Sequence, residues 1–146
     1  MPPQKAAILA NDIYMSEEAF VAKYKNGENR VAQAYADGVM FYIIDSKRET
    51  TLVFRGTVTT QDIYKDFQIQ HTKFHNLQNT EVHQGFYKSA LMAENKIKNI
   101  ISKQKPIIVI GHSLGGAVAT LLAAKLHLEK YDTTLFTFGS PPVGNH

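Results

Sequence analysis

A single serine stands in a setting that is typical of a catalytic nucleophile. Residues 107–115 read IIVIGHSLG, so an apolar run passes directly into a G-x-S-x-G motif. In such a motif a tight strand-to-helix turn exposes the serine hydroxyl, and Gly111 and Gly115 avoid the clashes that a Cβ would meet there. We therefore predict that Ser113 is a nucleophile. The alternative is a glycine-rich helix start with an ordinary serine.

A serine nucleophile also needs donors for the negative charge that develops on the substrate carbonyl oxygen. The backbone N–H of Leu114 would be one of them, because the first N–H groups of a helix are free and carry positive partial charge. The second donor is expected at the end of another strand. Thr57 follows the apolar run at 51–54 and offers both an N–H and a hydroxyl. A solvent-facing threonine in a turn is the alternative.

The first half of the chain predicts a helix followed by a hairpin. Residues 40–44 and 51–54 are apolar and bulky, and the polar stretch SKRET lies between them. This pattern favours two antiparallel strands joined by a turn. Residues 4–25 are predicted to be helical, with Ser16 and the two acidic residues after it as a helix start.

The second half of the chain predicts alternating helices and strands. Apolar residues recur every three or four positions, which indicates a helix, at Phe86, Ala90, Ala93, Ile97 and Ile100. Residues 107–110 and 135–138 are predicted as strands that are buried on both faces, with a helix over 113–130 between them. Because helices separate the later strands, we predict right-handed crossovers, a parallel sheet and the α/β fold class.

The composition fits one globular domain over residues 1–146, with 44% hydrophobic and 20% charged residues. The net charge of +3 comes without a dense basic run, which argues against a nucleic-acid partner. The absence of cysteine excludes disulfides and zinc–thiolate sites, and we expect no metal site. Neither a signal peptide nor an apolar run of the ~20 residues that a membrane span needs is present. We therefore expect a soluble, cytoplasmic protein.

Four blocks of the sequence occur in an order and at a spacing that are typical of one enzyme family. They are FRGT at 54–57, VHQGF at 82–86, GHSLGGA at 111–117 and TFGSPPVGN at 137–145. Together they resemble the class 3 lipases, the fungal-lipase branch of the α/β-hydrolases, from about residue 40 onward. The resemblance implies an α/β-hydrolase-like sheet, mostly parallel with an N-terminal hairpin and flanked by helices.

The same resemblance implies a serine carboxylic-ester hydrolase of the lipase, esterase or phospholipase type. Its substrate would be a lipid ester, and the chemistry needs no cofactor. Ser113 would be the nucleophile, and Thr57 and the backbone of Leu114 would form the oxyanion hole.

A segment at about residues 58–70 would correspond to the family's lid. A short helix with Ile63, Tyr64 and Phe67 on one side would cover the site in water and open in contact with a lipid interface. A surface helix packed permanently on the core is the alternative.

The sequence departs from the family in one respect that affects catalysis. The family's catalytic aspartate and histidine lie beyond the last block, whereas this sequence ends at His146. The resemblance therefore implies a C-terminally incomplete domain that lacks the final strands, with His146 and His83 as the substitute bases to consider. Three explanations stay open: a fragment, a site completed by a partner chain or a second copy at the open sheet edge, or a catalytically incomplete lipid-binding domain.

Overall fold

The computed structural model describes residues 1–56 and 81–139, and only the backbone of residues 81–83. Two helices and three successive strands come first, and the chain then alternates between helices and strands, as the pattern in its second half predicts. In chain order the elements are α1 (Pro3–Asp12), α2 (Glu17–Tyr24), β1 (Arg30–Ala36), β2 (Val39–Asp45), β3 (Thr50–Phe54), α3 (Glu81–Ile97), β4 (Ile107–His112), α4 (Leu114–Leu128) and β5 (Thr133–Phe138).

The five strands form one mixed sheet in the order β1-β2-β3-β4-β5. Strands β1, β2 and β3 pair in antiparallel fashion, and β3, β4 and β5 pair in parallel, with Phe54 opposite Gly111 and His112 opposite Phe138. The predicted hairpin, the parallel pairing and the α/β fold class are confirmed. Because parallel strands end at the same edge, the carboxyl ends of β3, β4 and β5 lie side by side.

Helices cover both faces of this sheet and create two apolar cores. The core under α3 and α4 includes Leu52, Ile107 and Val109, whereas the core under α1 and α2 includes Ile108 and Ile110. Successive residues of a strand point to opposite faces. The continuous apolar run of β4 is therefore explained by burial on both sides, as predicted.

Strand β1 was not predicted from the sequence. Six of its seven residues are exposed or half-exposed, and small alanines at 32, 34 and 36 weaken the apolar–polar alternation by which a strand is recognised. A local signal was nevertheless present in Asp37-Gly38, which has the positive φ values of 52° and 83°. Asp-Gly is a preferred two-residue connection between antiparallel strands. The antiparallel part of the sheet is therefore larger than the predicted hairpin.

The predicted N-terminal helix consists of two helices, α1 and α2. The second begins where the sequence indicates, because the Ser16 side chain accepts a hydrogen bond from the backbone N–H of Ala19 at 3.2 Å. The two helices are tied together by Asp12, whose carboxylate lies 2.6 Å from the Lys23 ammonium. Both helices can then cover one face of the sheet.

The bounds of α3 and the burial of β5 also differ from the predictions. Helix α3 begins at Glu81, ahead of the first apolar position at Phe86, and ends at Ile97, before Ile100. Strand β5 was predicted to be buried, which is wrong: it is an edge strand of the described sheet, and Leu135 is 37% exposed.

An aromatic pair in the core beneath α2 gives a stability prediction. Phe20 is fully buried and stacks on Tyr42 with ring centroids 3.8 Å apart. We expect Phe20→Ala to lower the free energy of unfolding by about 3–5 kcal/mol, because it leaves a cavity in a packed core. Ile8→Ala, at a residue 53% exposed on α1, is the control and should cost less than about 0.5 kcal/mol. Equal losses in urea denaturation would contradict this assignment of the core.

Candidate active site

Ser113 occupies the turn that joins β4 to α4, and its backbone is strained there. Its φ of 56° and ψ of −126° are rare for a residue with a side chain. Two hydrogen bonds hold this conformation: the Ser113 N–H donates to the Phe138 carbonyl at 3.0 Å, and the Gly116 N–H donates to the Ser113 carbonyl at 2.9 Å. The end of β5 and the start of α4 therefore fix the serine in place.

The two glycines of the motif permit close backbone contacts on either side of this turn. A Cβ at Gly111 would lie 2.5 Å from the Cα of Gly116, and a Cβ at Gly115 would lie 2.6 Å from the carbonyl oxygen of Phe54. Contacts this short do not occur between a real Cβ and backbone atoms. The turn can therefore form only if both positions lack a side chain.

The end of β3 passes beside the first N–H of α4. A Cβ at Gly56 would lie 3.4 Å from the Leu114 nitrogen and 3.7 Å from the His112 carbonyl oxygen, which places the Gly56 backbone against the turn. Thr57 is the next residue along the chain. The structure thus brings the residue before Thr57 to Leu114, while Thr57 itself lies outside the described residues.

The serine is less accessible than the sequence suggests. We predicted a hydroxyl exposed at the end of a strand, but Ser113 is only 3% exposed. The ends of β3 and β5 and the first turn of α4 all converge on it, which accounts for its burial. No side chain within residues 1–56 and 84–139 hydrogen-bonds its hydroxyl.

A tyrosine that the sequence analysis did not single out anchors the residue before the serine. The Tyr14 hydroxyl lies 2.7 Å from Nδ1 of His112, and the two rings meet edge to face with centroids 5.3 Å apart. Burial lowers the pKa of His112, which favours the neutral ring with Nδ1 as acceptor, and burial also raises the pKa of Tyr14 so that it stays a donor. His112 therefore serves to position the turn.

No described imidazole reaches the Ser113 hydroxyl. Nδ1 of His112 is bound to Tyr14, and its Nε2 lies on the side of Gly139. His127 stands near the far end of α4, ~20 Å along a helix that rises 1.5 Å per residue. The other histidine side chains lie outside the described residues: His71, His75, His83 and His146.

The structure describes only some of the predicted site residues. Ser113 and Leu114 lie together at the turn. The proposed lid residues Ile63, Tyr64 and Phe67 lie outside the described residues. In the described part of the chain, no group of three or more His, Cys, Asp or Glu side chains is arranged to hold a metal ion.

The mixed sheet, the helices on both its faces and the serine at a strand-to-helix turn define a fold of the α/β-hydrolase type. The class 3 lipase family matches residues 51–146, and the chain belongs to that family. The predicted family membership is therefore confirmed.

Individual relatives agree with this assignment. A secreted mono- and diacylglycerol lipase of Fusarium solani is 32% identical over 107 residues, which cover 69% of this chain and 32% of the relative. A lipase of Rhizopus niveus is 32% identical over 117 residues, which cover 71% of this chain and 30% of that lipase. A Rhizomucor miehei lipase propeptide complex superimposes with a TM-score of 0.61 at 19% identity, covering 99% of this chain and 54% of that one. The structural likeness establishes the fold alone.

The chain spans about a third of the length of the curated relatives that it matches. Among the described residues, no helix is both long enough and apolar enough to cross a membrane. The Fusarium solani relative is secreted according to its name, so the comparisons give no support to the expected cytoplasmic location.

The close contact at Gly115 gives a prediction about the turn. We expect Gly115→Ala to lower the free energy of unfolding by about 1–3 kcal/mol, because the new methyl group would overlap the Phe54 carbonyl. Gly85→Ala is the matched control, since a Cβ there meets nothing within 4 Å and alanine is favoured inside a helix. Urea denaturation should show a loss for the first variant and none for the second. A tolerated Gly115→Ala would mean that the turn is not packed as described.

The buried imidazole of His112 gives a prediction about pH. Its folded pKa is lowered below the unfolded value of about 6.5, so the unfolded chain binds the proton more readily. This contribution to stability is complete above that value and is lost as the pH falls towards the folded pKa. We expect His112→Gln to reduce the difference in Tm between about pH 7.5 and about pH 5.5.

The matched variant in this experiment is Tyr14→Phe, which removes the hydroxyl but keeps the ring that buries the imidazole. It should retain most of the pH dependence, because burial is the cause of the lowered pKa of His112. An unchanged pH dependence in His112→Gln would show that this histidine is not the titrating group.

Proposed function

We propose that this protein is a serine carboxylic-ester hydrolase of the lipase, esterase or phospholipase type, with Ser113 as its nucleophile. The observation that carries the proposal is the strained backbone of Ser113 between β4 and α4, held by hydrogen bonds from both sides. Strain of this kind costs of the order of 1–3 kcal/mol and persists at sites where it has a use. Membership of the class 3 lipase family supports lipid esters as the substrate class.

The proposed reaction assigns a role to each group at this turn. The Ser113 hydroxyl attacks the ester carbonyl carbon and gives its proton to a base, and the carbonyl oxygen becomes an oxyanion. The N–H of Leu114, in the first turn of α4, stabilises that charge, and the N–H and hydroxyl of Thr57 complete the oxyanion hole. Collapse of the intermediate expels the alcohol with a proton from the base. Water then releases the acyl group as a carboxylic acid and restores the serine.

Support for the role of Thr57 comes from its neighbour. The Gly56 backbone lies against the Leu114 nitrogen, so the chain leaves β3 beside the helical donor. In the proposal, Ile63, Tyr64 and Phe67 belong to a lid segment that contacts the lipid substrate. Both roles concern residues outside the described part of the chain and rest on the family resemblance.

The base is the open component of this mechanism. The described residues provide no imidazole hydrogen-bonded to Ser113, because the His112 ring is committed to Tyr14. In the proposal a histidine outside the described residues, on this chain or on a partner, takes the serine proton and is oriented by a carboxylate. No cofactor is required for this chemistry.

The second candidate function is non-catalytic. A domain that keeps the turn but lacks a base would bind lipid esters without hydrolysing them. The two candidates differ in the reactivity of one hydroxyl, since only an activated serine reacts rapidly with a phosphonylating reagent.

The test is labelling of the purified protein with a fluorescent fluorophosphonate, together with hydrolysis of a diacylglycerol and a short-chain p-nitrophenyl ester. We expect the wild type to be labelled and Ser113→Ala to lose all labelling. Hydrolysis by the variant should fall by at least ~10³-fold, as for other triad serines. Ser102→Ala, which changes a serine in the loop after α3, is the matched control and should behave like the wild type.

Circular dichroism on each sample establishes that it is folded. A folded wild type that is neither labelled nor active contradicts a hydrolase whose base lies on this chain or on a second copy of it, and supports the binding domain. Labelling that persists in Ser113→Ala would assign the nucleophile to a different residue.

A further inference from the structure

A cavity of about 410 Å³ lies at the end of the sheet opposite Ser113. It is formed by the start of α1, the segment after α2 and the turn between β2 and β3. This turn precedes the amino end of β3, whereas the carboxyl end of β3 lies at the Ser113 turn. The side chains that give the cavity its chemistry are Lys5, Leu9, Tyr24, Ile44, Arg48 and Thr51.

The floor of this cavity is apolar. Leu9 and Ile44, which belong to the core under α1 and α2, line it and are 2% and 8% exposed. Tyr24 also lines it, and its hydroxyl already donates to the Asp12 carboxylate at 2.5 Å. The aromatic ring of Tyr24 is therefore the part of this side chain that is available to contact a ligand. A hydrocarbon chain placed here would cover the floor and be removed from water.

The rim of the cavity carries a surplus of positive charge. Lys47 is paired with Glu28 at 2.8 Å, and the Glu49 carboxylate accepts a hydrogen bond from the Thr51 hydroxyl at 3.4 Å. Lys5 and Arg48 form no ion pair with any side chain that the structure describes. The Glu49 carboxylate keeps its negative charge, so Lys5, Lys47 and Arg48 stand against Glu28 and Glu49. The rim therefore has a surplus of one positive charge beside an apolar floor.

We propose that this cavity binds a single-chain amphiphile with an anionic headgroup, and specifically a medium-chain fatty carboxylate. Its volume lies within the range of roughly 300–1,000 Å³ of small-molecule sites. The carboxylate, ionised at neutral pH, accepts charge-assisted hydrogen bonds from the Arg48 guanidinium and the Lys5 ammonium. The alkyl chain packs on Leu9, Ile44 and the Tyr24 ring.

This inference is independent of the proposed hydrolase activity. It uses no residue of the Ser113 turn, and it holds equally for a catalyst and for a binding domain. A fatty carboxylate is also the class of product that ester hydrolysis releases. A site at the opposite end of the sheet would therefore bind that product away from the reacting serine.

The experiment is a titration of the ¹⁵N-labelled full chain with decanoate below its micelle-forming concentration, followed by NMR. We expect saturable shifts of the amides of Lys5, Arg48 and Glu49. The double variant Lys5→Ala/Arg48→Ala should bind at least about 10-fold more weakly, because it removes two hydrogen bonds to a charged group. Arg48→Lys, which keeps the charge, should bind decanoate measurably better than Arg48→Ala.

The matched control is Lys96→Ala, which removes an exposed lysine of α3 on the other face of the sheet and should leave the affinity unchanged. All substituted side chains are exposed, so the fold is expected to survive in each variant.

Four results would overturn the proposal. The first is an unchanged affinity in the double variant, and the second is a set of shifts confined to the Ser113 turn. The third is equal binding of acetate, which would mean that the apolar floor is not used. The fourth is binding to anionic phospholipid vesicles without binding to decanoate, which would make this surface a membrane contact.

Discussion

The contact between the Gly115 backbone and the Phe54 carbonyl is the constraint on which the rest of the site depends. It allows the first turn of α4 to approach the end of β3 more closely than any residue with a side chain would permit. That approach sets the Leu114 nitrogen beside Gly56, next to Ser113 with its strained φ of 56°. The positive φ of Ser113 thus occurs where α4 and the end of β3 approach each other closely.

A strained turn is stable only if its surroundings hold it from several directions. Here β5 supplies the Phe138 carbonyl to the serine N–H, and α4 supplies the Gly116 N–H to the serine carbonyl. The layer of helices on the other face contributes through Tyr14, which follows α1 and binds His112. All three layers of the fold thus meet at one turn. A change in any of them would therefore alter the contacts that hold the backbone conformation of Ser113.

Local patterns predicted much of this arrangement. The β4–turn–α4 unit was predictable because the apolar run, the glycines and the helix are contiguous in sequence. Strand β1 was missed because three alanines mask its alternation, and β5 was predicted to be buried because its composition resembles that of a central strand. The Tyr14–His112 contact joins residues 98 positions apart, and no spacing rule predicts it.

The architecture also separates two kinds of chemistry along one strand. Strand β3 begins beside the Lys5–Arg48 cavity and ends at the Ser113 turn, and α1 runs between the same two places, from Lys5 to the residues just before Tyr14. At the serine end, the available groups are backbone N–H donors, which suit a charge that develops during a reaction. At the cavity end, they are permanent cations over an apolar floor, which suit a charge that the ligand already carries. In the two proposals, these ends bind an ester and the acid derived from it, respectively.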